Sequence, residues 1–378
     1  MIALYVHWPF CRARCPYCDF NVHVRKAVDQ DAWRTALLAE LDHAAEEAGP
    51  RELVSIFFGG GTPSLMPPAT VAAVIDRAAQ RWRAAPDIEI SLEANPNDRA
   101  AFADLAAAGV NRLSLGVQAL DDASLRALGR DHDREEALAA IADAQRLFPT
   151  TSFDLIYARP DQTAEAWRAE LREALAMAGA QLSLYQLTFE PGTVFEARRK
   201  RGEMRAPGDD ATGALYEIAQ EMTDAAGLPA YEISNHARPG KPCRHNLVYW
   251  RYGDYAGIGP GAHGRITLGG KKFASTRLRA PERWLDEVRR NGHGTASREE
   301  IEPEARLTEM LLMGLRLVEG VSRARFRAET GREVEEALDA RALSSLIEDG
   351  FLSLDAERLA ATAAGRQRLD AVLARLLT

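Results

Sequence analysis

The sequence predicts an α/β fold: a partial (β/α)6 barrel of the TIM type, followed by a smaller C-terminal helical, winged-helix-like module. Two observations carry this. Short β-rich runs alternate with longer Ala-, Leu- and Glu-rich helical patterns from the first residue to about position 235, the pattern of a parallel βα array. Only six such units are present, where a complete barrel needs eight. The competing arrangement is an open doubly wound sheet.

The run from Met1 to Phe10 is apolar but short, with no basic leader and no small-residue cleavage site. It reads as a first strand, Ile2 to His7, rather than as a signal peptide or membrane span. Further strands are expected at Leu53 to Phe58, Ile88 to Glu93, Arg112 to Val117, Ser152 to Tyr157 and Gln181 to Thr188. Between them, apolar residues recur at roughly 3.6 spacing around Asp31 to Ala48, Pro68 to Arg83, Asp98 to Ala108, Arg134 to Leu147 and Ala164 to Ala178. A Gly-, Pro- and His-rich stretch, His236 to Gly264, then breaks the alternation, and a charged stretch, Arg298 to Arg306, precedes a helical pattern from Thr308 to Leu317. The tail reads helix, helix, a short strand at Gly350-Phe351-Leu352, turn and helix. The expected organisation is a barrel over 1–235, a connecting segment over 236–300 and a terminal module over 301–378.

A chain of 378 residues is long enough for one barrel-sized core plus a second unit. Its net charge of −8 gives no basic face, so nucleic acid is not an expected partner, and the tail is expected to pack or dock rather than bind DNA. Four cysteines in a chain this long, three of them clustered, do not make a disulfide framework. A reducing compartment, the cytoplasm, suits them.

The cluster is Cys11-Arg12-Ala13-Arg14-Cys15-Pro16-Tyr17-Cys18. Three thiolates can hold three irons of a cubane and leave the fourth open to an exchangeable ligand, whereas structural metal sites close their shell. The alternative is a zinc site completed by Cys243, His7 or His23. The loop directly follows the first strand, which in a barrel places it at the carboxyl-end rim where barrel sites lie. Gly59-Gly60-Gly61-Thr62-Pro63 ends the second strand, where missing Cβ atoms let backbone approach a ligand; a tight turn is the plainer explanation. Polar side chains then recur at or just beyond strand ends: Glu93, Gln118, Arg130 and Asp154.

The CxxxCxxC loop, the GGGTP turn and these strand-end residues resemble radical S-adenosylmethionine (SAM) proteins. Within them, the run from Tyr5 to Cys11, Leu115-Gly116-Val117-Gln118, Asp154-Leu155-Ile156-Tyr157 and the stretch Asn246 to Ala262 are similar to the group of oxygen-independent coproporphyrinogen III dehydrogenase and the HemW haem chaperones. The resemblance covers essentially the whole chain. It implies a [4Fe-4S] cluster on Cys11, Cys15 and Cys18, an electron donor for it, and a SAM site lined by Tyr5, Tyr17, Gly61, Thr62, Glu93, Gln118, Arg130 and Asp154. There Arg130 would bond a carboxylate bidentately and the cofactor would supply the radical chemistry.

Two features separate the branches. The dehydrogenases resemble CxxxCxxCxC and carry an N-terminal arm; here Phe20 stands at the fourth cysteine position and the first cysteine is residue 11. Both departures weigh against decarboxylation of coproporphyrinogen III, which remains the alternative activity. His245-Asn246-Leu247-Val248-Tyr249-Trp250 matches the HNxxYW motif of the chaperone branch. The match implies haem held through His245, with Tyr249 and Trp250 against the macrocycle, and delivery to an acceptor protein; an acceptor at a membrane would bring peripheral contact to a chain without its own anchor. Read without that context, His245 would be a hydrogen-bonded loop histidine among core aromatics. Cys243 reads as a buried small thiol or a competing ligand, and His263 as a nucleoside contact or a turn residue.

Overall fold

Alternation at period two decides which face each strand presents. The computed structural model describes residues 1–377, and its barrel wall is a run of six parallel strands: β1 (Ile2–Trp8), β2 (Glu52–Gly60), β3 (Arg83–Ala94), β4 (Arg112–Gln118), β5 (Thr150–Tyr157) and β6 (Gln181–Gln186). Leu4, Ile56, Leu92, Leu113, Leu155 and Leu184 point outward into one apolar core beneath the helices, each worth about 1.5–3 kcal/mol by removal from water. Tyr5, Phe57, Glu93, Ser114, Asp154 and Ser183 take the opposite face and line a single cavity of about 740 Å³. Side chains from six adjacent strands can meet in one cavity only if the sheet curves around it, which makes this a partial barrel with a polar lumen.

The helices that cover the outer face are α1 (Gln30–Ala48), α2 (Pro68–Arg81), α3 (Phe102–Ala107), α5 (Arg134–Leu147), α6 (Ala164–Met177) and α8 (Asp209–Ala225), while α4 (Asp122–Ala127) and α7 (Val194–Lys200) sit at the carboxyl-end rim, where Leu125 and Phe195 share a separate small cluster against Tyr17. Their starts are written in short polar side chains: Asp29, Asp121, Thr163 and Thr193 each accept from a first-turn amide, and Asp133 with Glu136 forms a reciprocal capping box. Each such cap is worth about 1 kcal/mol. The helix expected over 98–108 is divided into a 3-10 segment, Pro96–Ala101, and α3.

The largest departure from expectation lies in 236–300, read from the sequence as a connecting segment. It extends the sheet at both edges. β7 (Asn235–Ala237) pairs antiparallel with β6, while β8 (Tyr255–Ile258) lies parallel to β1 on its free side. β9 (His263–Leu268), β10 (Lys271–Arg277) and β11 (Thr295–Glu300) follow antiparallel, giving the order β11-β10-β9-β8-β1-β2-β3-β4-β5-β6-β7. β8 finds its partner at Ala3 to Val6, about 250 residues earlier, so no local signal announces it. β8 also occupies the edge of β1 that a closed barrel would pair with its last strand.

α9 (Arg244–Trp250) and α10 (Pro281–Asn291) complete this part, and α11 (Pro303–Gly314) begins the terminal module. The module has its own core, including Leu311, Phe326, Leu343 and Leu359, around a small antiparallel sheet of Val321–Ser322, Leu352–Leu354 and Arg358–Ala361. It is fastened to β10 by Lys272, only 1% exposed, whose Nζ lies 3.1 Å from Glu329 Oε1, donates to the Tyr252 carbonyl and sits 4.0 Å from the Tyr252 ring centre. No helix among the described residues is long and apolar enough to cross a membrane.

Candidate cofactor and ligand site

The cysteine loop leaves β1 at the carboxyl-end rim and is closed by a two-residue parallel pairing, Phe10–Cys11 with His23–Val24. The glycine turn after β2 grips it from beside. Gly61 N–H donates to the Trp8 carbonyl (2.7 Å) and Thr62 N–H to the Phe10 carbonyl (2.9 Å). A Cβ on Gly61 would lie 2.7 Å from the Phe10 oxygen, and one on Gly60, at φ 109°, would lie 2.5 Å from the His7 ring. The glycines are therefore required by the close approach of two backbone segments. From the β3 side, Arg12 on the loop pairs with buried Asp98 (2.6 Å), which also accepts from Ser64 Oγ (2.6 Å).

Beneath this loop lies a cavity of about 160 Å³ that brings together Cys11, Cys15, Cys18, Tyr17, Gly61, Thr62, Glu93, Gln118, Arg130 and Asp154. Tyr5 is the exception among the residues expected to meet SAM: it lines the larger chamber, its hydroxyl 3.0 Å from His7 Nδ1. Arg130 does not present a free fork. Its Nη1 donates to Cys15 Sγ (3.3 Å) and its Nη2 to Asn95 and to the Gly116 carbonyl (2.9 Å), so the guanidinium braces the site and only a buried, unpartnered Nε is left over. Gln118 ends β4 at φ 75°, a left-handed conformation unusual for a side-chain-bearing residue and typical of ligand-facing positions.

Two acids face the cavity. Burial pushes the Glu93 carboxyl up to about 8, helped by the neighbouring charge of Asp154, and it accepts a hydrogen bond from Gly60 N–H (3.1 Å). Burial also lifts Asp154 to about 6, and its Oδ1 is buried without a partner. Acidic groups held at this cost suit a ligand that brings positive charge and donors, as the sulfonium and amino group of SAM would. Burial raises the Cys11 thiol to about 11, a cost that coordination of its thiolate would remove. No three His, Cys, Asp or Glu side chains among the described residues stand close enough to share one ion. A cubane, with each thiolate on a different iron, makes no such demand, so the donor set fits the cluster better than zinc. Two of the three zinc-completing candidates are engaged elsewhere: His7 Nε2 lies 3.0 Å from the Asn21 carbonyl oxygen, and Cys243, buried and raised to about 12, donates to Glu89 (3.3 Å), whereas the His23 Nε2 is buried without a partner.

The larger chamber shares Gly60, Glu93, Ser114 and Asp154 with the cluster cavity, so the two are continuous. Its far end is closed by α9. Glu89 of β3, in register with Ser55, caps the start of that helix, Oε2 accepting from Arg244 N–H and Oε1 from His245 N–H, both at 3.2 Å. The His245 ring stacks on Phe57 (centroids 5.0 Å), with Nδ1 3.1 Å from Ser55 Oγ. Its Nε2 makes no hydrogen bond among the described residues, and burial drives the imidazole pKa down to about 3, so the ring is neutral. Ser55 stands five residues before Gly60 on β2, placing His245 ~16 Å down the lumen from the glycine turn. Tyr249 donates to Asn246 (3.0 Å), while Trp250 lies under the Arg316 guanidinium (4.6 Å), which with Met313 walls the open side of the barrel. His263 stands exposed on the chamber wall. Sequence reasoning missed Ser55, Glu89 and Arg112; their signal is the inward phase of the strand alternation.

A radical SAM superfamily model matches residues 5–174, and a HemN C-terminal domain model matches 301–368. The chain is 40% identical to the bovine mitochondrial radical S-adenosyl methionine domain-containing protein 1 over all of this chain and 87% of that one. It is 38% identical to the haem chaperone HemW of Escherichia coli, covering 98% of this chain and 97% of that one, and 37% identical to the HemW of Mycobacterium tuberculosis, covering 99% and 94%. The solved structure of the E. coli coproporphyrinogen III oxidase HemN superposes with a TM-score of 0.81 at 23% identity, covering 99% of this chain and 89% of that one, which establishes the shared fold.

Proposed function

The chain belongs to the radical SAM superfamily, in the family that includes the haem chaperone HemW, and from that premise we propose that it is a haem chaperone, binding a [4Fe-4S] cluster, SAM and haem and passing haem to an acceptor protein. The observation that carries the haem assignment is His245: buried, neutral, fixed through Nδ1, and with Nε2 free beside a cavity of about 740 Å³. That volume lies within the ~300–1,000 Å³ typical of sites that bury a cofactor-sized ligand. With the Nδ1 proton given to Ser55 Oγ, Nε2 keeps the lone pair an axial ligand needs, and the serine bond fixes ring orientation. Tyr249, Phe57 and Trp250 supply the apolar surface.

At the other end, Cys11, Cys15 and Cys18 would hold three irons, leaving one for SAM. The cluster, when bound, supplies an electron to the sulfonium. The residues around it bind and orient: Gly61 and Thr62 hold the loop, Glu93 and Asp154 face the cationic part of the ligand, Tyr17 lies against Cys15 and Arg130, and Arg130 braces Asn95 beside Cys15. Partners consistent with this reading are an electron donor for the cluster and a haem-accepting protein, met in the cytoplasm, with any membrane contact made through the acceptor.

The test is anaerobic reconstitution with iron and sulfide followed by haem titration, read by absorbance with and without SAM. Wild type should bind about one haem per chain and His245→Ala should bind it at least ~10-fold more weakly. A second reading, an enzyme acting on a porphyrinogen, is favoured by the continuity of the two cavities. It predicts anaerobic conversion of coproporphyrinogen III, and a wild-type protein that binds SAM but no haem would replace the first reading with this one.

A further inference from the structure

Three arginines line the larger chamber: Arg112, Arg279 and Arg316. Arg316 is neutralised by Glu232 (3.0 Å), and Arg279 is exposed. Arg112 is different. It is 4% exposed, and its Nη2 donates to two uncharged groups, Ser152 Oγ (3.3 Å) and Gln181 Oε1. Its Nε and Nη1 are buried with no partner, and no carboxylate among the described residues makes an ion pair with it. The nearby acids are committed elsewhere, Glu89 to the start of α9 and Asp154 to Ser183 and Ser114.

A buried guanidinium whose nearby acids, Glu89 and Asp154, are turned to other partners has donors left to satisfy, and the usual remedy is an anion. Register places this one close to the imidazole. Phe57 pairs with Ser91 and Ser91 with Arg112, so the ring that stacks on His245 and the arginine share one level of the barrel, two strands apart, ~10 Å between Cα atoms. A macrocycle ligated at His245 would carry its peripheral substituents toward this wall of the same chamber.

We propose that Arg112 binds a carboxylate of the chamber's ligand, a propionate of the tetrapyrrole whose iron is taken by His245. The inference rests on the haem reading above and extends it: the chamber selects macrocycles that carry a free propionate, through a charge-assisted hydrogen bond from an Arg112 N–H that has no partner in the protein. Ligation at His245 would then fix the metal, and Arg112 the rotation of the ring about the axial bond.

The experiment compares iron protoporphyrin IX with its dimethyl ester, in the same detergent, on wild type, Arg112→Gln, Arg112→Lys and His245→Ala. Wild type should prefer the free acid by ~10–100-fold. Arg112→Gln should bind acid and ester with equal affinity, and Arg112→Lys should keep part of the preference. His245→Ala should weaken both ligands while retaining the preference. A full wild-type preference in Arg112→Gln, or none in wild type, would overturn the anchor. Unchanged affinity and absorbance in His245→Ala would sink the axial assignment and leave the anchor standing, whereas a wild type that takes up neither ligand would end both. If Arg112→Gln fails to fold, Arg112→Met replaces it: equal affinity for acid and ester supports the anchor, and a full wild-type preference overturns it.

Discussion

Ser55 Oγ and His245 Nδ1 are 3.1 Å apart across 190 residues of sequence, inside a barrel whose other inward side chains come from every parallel strand. The bond makes the serine a positioning residue for the imidazole. Ser55→Ala should leave the fold intact and reduce haem affinity ~10-fold, the scale of loss when a ligand histidine loses its outer partner. Titration with haem gives the affinity, and an altered visible spectrum would show that the ring has turned. Unchanged affinity and spectrum would assign Ser55 to packing alone.

Glu89 does for the helix what Ser55 does for the ring. Its carboxylate takes two amides at the start of α9, so Glu89→Ala should cost about 1–2 kcal/mol of stability and loosen His245. Glu89→Gln, which keeps an acceptor oxygen, should recover a good part of both. Thermal unfolding and haem titration on the two variants separate loss of charge from loss of the cap.

At the cluster end, Gly61→Ala should fold and fail to load. The added methyl meets the Phe10 and Trp8 carbonyl oxygens at 2.7 and 2.9 Å, which pushes the glycine turn off the cysteine loop. Iron and sulfide after anaerobic reconstitution should fall to less than ~half of wild type, as a misplaced loop cannot present three thiolates together. Full loading would show that the loop is held chiefly by its own pairing.

Glu93 gives a pH dependence with a definite sign. Its folded-state carboxyl keeps a proton up to about pH 8, whereas the unfolded chain releases it near its ordinary value of 4.5. The folded state therefore binds more protons in that window, and the cofactor-free protein loses stability as pH rises from 4.5 to 8. Glu93→Gln should raise the cofactor-free Tm at pH 8 by ~3–6 °C, have little effect near pH 4, and weaken SAM binding. A pH-independent difference in Tm would refute the assignment.

Much of the fold was legible because the barrel is built from local patterns. The six parallel strands fall within a few residues of their expected positions, apart from β3, which begins at Arg83 rather than Ile88. The cysteine loop and glycine turn stand where βα punctuation put them. Local reading failed where partners are distant: β8 beside β1, Glu89 beneath α9, and Arg130, whose expected fork is spent on Asn95, Gly116 and Cys15. Tyr5 lines the larger of the two continuous cavities for a related reason, since its height on β1 follows from register with Phe57 rather than from its own sequence neighbours.

The division of labour between the two faces of the barrel sheet bears on how such a protein changes over generations. Cohesion resides in the outward Leu, Ile and Phe layer, while the inward positions carry Tyr5, Ser55, Arg112, Ser114, Asp154 and Ser183. Substitution on the inner face removes little apolar burial, so mutations there can alter what the lumen accepts without unfolding the molecule. A lineage can thus exchange one cargo or substrate for another by drift along one side of six strands, keeping the iron-binding loop and the hydrophobic shell as inherited.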